Sequence, residues 1–82
     1  MDADLQNAIR GAVMRHLRAS GEPVREAVLY ERIAAEGVHA DGTDVIAVLM
    51  RLEVEGHVHV DPARDEVRDP APFQPRFWRV IG

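Results

Sequence analysis

The chain has 82 residues and no cysteine, which excludes disulfide stapling, thiol chemistry and cysteine-ligated zinc. It also has no lysine, so all ten basic residues are arginine. Serine occurs once, at Ser20, where a helix is expected to end. With no cysteine and so little hydroxyl, few nucleophiles remain for covalent catalysis. No glycine-rich phosphate loop is present, because Gly37 and Gly42 read as cap and turn glycines. The acids are scattered along solvated faces without a recognisable pair for proton transfer. A non-enzyme is expected, with no cofactor, no resident metal and no small-molecule substrate. No apolar run approaches the roughly 18–20 residues of a membrane span, and no signal-peptide pattern opens the chain. A cytoplasmic protein that does not enter a membrane is therefore expected.

Hydrophobic residues make up 46% of the chain and charged residues 29%, an ordinary balance for one folded domain spanning 1–82. The net charge is −4. Residues 1–56 hold six arginines against ten acids, and residues 57–82 hold four of each. Within Pro70–Gly82, Arg76 and Arg79 stand without an acid. That balance weakens a nucleic-acid reading, since sequence-independent DNA affinity comes mainly from neutralising phosphates.

Periodicity divides the chain into elements. Leu5, Ile9, Val13 and Leu17 recur every four residues, which predicts a helix over about 3–20 with Asp2 or Asp4 favouring its start and Gly21 stopping it. Gly11 in mid-helix costs up to about 1 kcal/mol against Ala, a cost that close approach of another helix would explain. After the connector Glu22-Pro23-Val24, Leu29 and Ile33 mark a second helix over about 25–36, stopped by Gly37. Thr43 or Asp41 caps a third, about 44–55, which ends at Gly56. The period then falls from 3.6 to 2. His57–Val60 alternates and leads to a strand over about 57–61, and RFWRVI reads as a returning strand over about 76–81. Between them, Ala63–Pro75 is charged and proline-rich, with Glu66–Arg68 able to pair briefly.

The run VIAVLMRLEVEGHVHV (Val45–Val60) resembles the end of the third helix in winged helix-turn-helix domains. Leu49 and Leu52 with an arginine between them, the acidic Glu53 and Glu55, Gly56 and an immediate strand carry the likeness. Val38 after Gly37 matches the apolar residue of the family's turn. The resemblance implies an α+β fold, a small winged helix of three helices followed by a β-hairpin wing. Many members are bacterial transcription regulators and others mediate protein contacts or oligomerisation, so the fold alone does not choose a function. The wing, about Asp61–Pro75, is longer and richer in proline than the family pattern.

The third helix separates the two functions. Val45, Val48, Leu49 and Leu52 form one stripe, expected in the core with Leu5, Ile9, Val13, Leu17, Leu29, Ile33, Val58, Val60 and one face of the last strand. Ile46, Ala47, Met50 and Val54 lie on the other side, which the family offers to the major groove. Base readout needs hydrogen-bonding side chains such as Arg, Asn or Gln, and these residues supply none. They suit an apolar docking strip, with flexible methionine at its centre. The leading expectation is an interaction module that binds a protein partner or a second copy through Ile46, Ala47, Met50 and Val54. The alternative is a DNA-binding regulator that uses Arg64, Arg68, Arg76 and Arg79 on phosphates, with Trp78 stacking on a base or sugar. His57 and His59 share one strand face, but nothing in the sequence fixes a third metal ligand such as Asp61 or His39, so they read as solvated. His16, beside the first apolar stripe, is expected to be partly buried and hydrogen-bonded.

Overall fold

The computed structural model describes residues 2–61 and 76–81. Helix α1 spans Ala3–Ser20. The Asp2 carboxylate accepts the Leu5 N–H at 2.7 Å and satisfies one of the helix's unpaired first-turn donors. Gly21 ends the helix at φ +70°, a conformation that a side chain disfavours. The buried face of α1 carries Ile9, Ala12, Val13 and Leu17, while Leu5 is only half-buried at the end of the stripe. Gly11 does not mark a close helix approach, contrary to expectation. A Cβ built there meets nothing within 4 Å.

The connector forms a two-residue strand, β1, at Val24–Arg25. Helix α2 follows directly over Glu26–Ala35 and buries Leu29 and Ile33. Helix α3 spans Gly42–Val54 and begins two residues earlier than its apolar pattern suggests. The cap is Asp41. Its side chain accepts the Asp44 N–H at 2.9 Å, and the Asp44 carboxylate accepts the Asp41 N–H at 3.4 Å. This reciprocal capping box sets the start of α3. Gly56, at φ +82°, turns the chain into the sheet.

Strands β2 (Val58–Asp61) and β3 (Phe77–Val80) pair antiparallel, and β1 pairs on the other side of β3. The sheet order is β1-β3-β2, so the last strand is central. The described chain is therefore an α+β fold of three helices and a three-stranded antiparallel sheet. No described helix is long and apolar enough to cross a membrane.

Register decides which side chains face the helices, because residues directly opposite in a sheet share a face. Val24, Trp78 and Val60 form one inward row, and Val58 and Val80 form the next. Trp78 is fully buried and is the largest side chain of the core. Its indole Nε1 donates to Glu26 Oε1 at 3.1 Å, while Arg76 Nη2 donates to Glu26 Oε2 at 2.9 Å. The Glu26 backbone N–H donates to the Arg76 carbonyl at 2.8 Å. One residue at the start of α2 thus holds β3 by three hydrogen bonds and satisfies a polar atom at the centre of the core. The stripe of α3 is buried as expected, at Val45, Val48, Leu49 and Leu52.

Candidate interaction surfaces

The outer side of α3 is built by the same helical period that buries its inner stripe. Thr43 and Ala47 are exposed. Met50 is 43% exposed and Val54 86%. Ile46 departs from the expected strip, because it is half-buried and packs against the core. At 100° per residue Ile46 lies next to Val45 and Leu49 on the helix, so it shares their edge of the apolar arc. The exposed apolar strip is therefore Ala47, Met50 and Val54, on the C-terminal part of α3.

Charges frame this strip. Glu55 pairs with Arg10 of α1 at 2.6 Å, with Arg51 at 3.6 Å, and lies 3.8 Å from His57 Nε2. The hydrogen bond from Arg10 is the main force holding the Glu55 carboxyl below its ordinary value. Partial desolvation opposes it, and the charges of Arg10, Arg51 and His57 assist. Arg51 is thereby engaged with a carboxylate on its own helix. At the other end, the carboxylates of Asp41 and Asp44 occupy the start of α3, the end at which helix amides and dipole would otherwise favour an anion.

Of the residues expected to contact nucleic acid, the three described ones, Arg76, Trp78 and Arg79, do not share one exposed surface. Arg64 and Arg68 lie outside the described residues. Arg76 is turned to Glu26. Trp78 is 0% exposed and therefore closed to stacking on a base, a correction that follows from its inward register at the centre of the sheet. Arg79 does face solvent, opposite His59. Among the described residues the exposed aromatic is Phe77, at 39%, in the outward row Arg25–Phe77–Asp61. Strand alternation separates Phe77 from Trp78, but only the sheet register shows which of them faces the helices.

His57 and His59 are both exposed, as is His39. Among the described residues no group of three histidines or carboxylates converges on a metal position. His16 is partly buried, and its Nε2 lies 3.1 Å from Glu36 Oε1, which also faces Arg15. Nε2 makes no hydrogen bond there, against the expectation of a hydrogen-bonded residue. No protein-family model, curated protein or solved structure matches the chain.

Proposed function

We propose that the chain is a non-catalytic winged-helix interaction module that binds a protein partner or a second copy through the outer side of α3. The element order, helix, short strand, helix, helix and two strands, supports the winged-helix reading, as does a sheet with its last strand in the centre. The observation that carries the function is the exposure of Met50 and Val54 on the helix side where a DNA reader would need donors. The carboxylates at the start of α3 weigh against a phosphate contact there.

Size limits the reading usefully. A stable protein interface takes about 800 Å² from each partner, far more than two partly exposed apolar side chains offer. Met50 and Val54 therefore act as the centre of a contact whose rim is polar, the place where binding energy concentrates. Arg51, Glu53 and Thr43 supply that rim.

The test replaces Met50 and Val54 together with Glu. Both side chains are exposed, so the fold should survive, as judged from the emission of buried Trp78. Sedimentation then follows a self-complex, and affinity capture with wild-type and variant bait follows a foreign partner. Loss of a wild-type dimer, or of a captured protein, supports the proposal. A monomer in both cases with identical captured proteins refutes it. In parallel, random duplex is titrated at about 50 mM and about 200 mM salt, where phosphate-driven binding must weaken steeply. Such binding, lost on reversing Arg64, Arg68 and Arg79 with Trp78 emission unchanged, would favour the DNA-binding alternative.

A further inference from the structure

The arginines of the described chain fall into two groups. Arg10, Arg15, Arg51 and Arg76 each pair with a glutamate. Arg18, Arg25, Arg32 and Arg79 form no ion pair with any described residue. Three of these four gather on one side. Arg25 stands in the outward row beside Phe77, and Arg79 is two residues further along β3 on the same face. Arg18, in the last turn of α1, lines a depression with Pro23 and Arg79. Pro23 and Arg79 also line an adjoining depression, with Phe77, His59 and Asp61. The two share a wall and make one continuous surface, over which no described element packs.

We infer that this surface is a second docking site, and that its occupant is an acidic peptide segment carrying an apolar side chain. Charge complementarity selects the acidic partner. A guanidinium pairs well with a carboxylate, and Arg18 and Arg79, which form no ion pair with a described residue, both line this surface. Phe77, 39% exposed, and Pro23 provide an apolar patch beside Arg79, so the peptide sets an apolar residue next to its carboxylates. Glu22 and Asp61 rim the surface and limit how much negative charge it tolerates. The whole chain carries −4, which opposes a long polyanion across its surface. A short peptide meets the arginines within the roughly 8 Å over which charges act at physiological salt. An acidic peptide therefore fits better than a nucleic-acid strand. The site lies on β2, β3, the end of α1 and the connector after it, so it does not depend on the α3 strip.

A random twelve-residue peptide library displayed on phage is selected against the full chain, and enriched peptides are synthesised with a fluorescent label. Enrichment of peptides with two or more Asp or Glu and an aromatic or aliphatic residue is expected. Their affinity should fall at least tenfold in the double variant Arg18→Glu, Arg79→Glu, and should fall in Phe77→Ala. It should be unchanged in Met50→Glu. Unaltered Trp78 emission checks that each variant is folded. Three results overturn the inference: no acidic enrichment, selected peptides that bind the double variant equally well, or a twelve-nucleotide oligo-dT that binds more tightly than they do at the same salt. The last would assign the surface to nucleic acid instead.

Discussion

Replacing Glu26 with Ala should be among the costliest changes at any partly exposed position. The substitution removes the acceptor of the Trp78 indole N–H, which lies in a side chain with no exposed surface. Leaving such a donor unsatisfied costs about 1–3 kcal/mol. It also removes the Arg76 pair, whose side chains are 33% and 13% exposed. Partial solvent screening reduces that loss to about 1 kcal/mol or less. A third loss is the favourable carboxylate in the first turn of α2, worth about 0.3–1 kcal/mol. Together these reach about 1–5 kcal/mol, against a total of about 4–12 kcal/mol expected of a domain this size. At the middle of that range, melting should fall by on the order of 10–20 °C. Glu26→Gln keeps an oxygen for the indole and should cost about 1 kcal/mol, because only the charge is lost. The chain contains one tryptophan, so emission during urea unfolding follows this site directly. If Glu26→Ala unfolds within about 0.5 kcal/mol of wild type, or if Gln costs as much as Ala, the indole–carboxylate bond does not stabilise β3 as argued.

Three further outcomes are expected. Gly11→Ala should stabilise by up to about 1 kcal/mol in urea unfolding, because the helix gains propensity and the new methyl meets open space. Asp41→Ala should cost about 0.5–2 kcal/mol by the same measurement, through loss of the capping box. Glu55→Gln concerns pH. The folded carboxyl titrates below its ordinary value of 4.5, so its ionised form favours folding above that value. That contribution fades as pH falls through the lower folded value, so wild type and Glu55→Gln should differ in stability at neutral pH and converge in acid. A difference that persists unchanged at pH 2 would contradict the Arg10–Glu55 contact.

The helices were legible because their signals are local. Leu5, Ile9, Val13 and Leu17 mark α1 by spacing, and Gly21, Gly37 and Gly56 each stand at positive φ where a helix or turn ends. Features that depend on distant partners were not legible. Val24 and Arg25 become a strand only because β3 lies beside them, and nothing in a two-residue segment announces its pairing. The role of Glu26 depends on Trp78, fifty-two residues away. Alternation divides β3 into two faces but does not say which is inward, so the DNA-binding alternative could place Trp78 outside as a stacking residue. Ile46 lies at the margin of the apolar arc, where the helical period alone cannot separate contact from exposure. Its partial burial depends on how α3 is rolled against its neighbours. The exposure of Ala47, Met50 and Val54 was therefore legible in the helical period, and the partial burial of Ile46 at its margin was not.

Major-groove reading asks three separate things of α3 and its flank: an anchor for phosphate at the helix start, donors toward base edges, and free cations nearby. Different residues stand against each. Asp41 and Asp44 place carboxylates at the helix start. Ala47, Met50 and Val54 bring no donors to the outer side, where Thr43 adds one short hydroxyl, and Arg51 faces Glu55 at 3.6 Å. Because the three features are independent, neutralising one leaves the other two, and no single substitution on α3 should create duplex binding. Of the described arginines without an ion pair, Arg32 lies on α2, and Arg18, Arg25 and Arg79 lie beside the sheet. This segregation has a practical consequence for charge reversal. At Arg10 or Arg76 it breaks a contact between elements and should lower the melting temperature. At Arg18, Arg25 or Arg79 no described contact is lost, so an effect on binding there can be separated from an effect on folding.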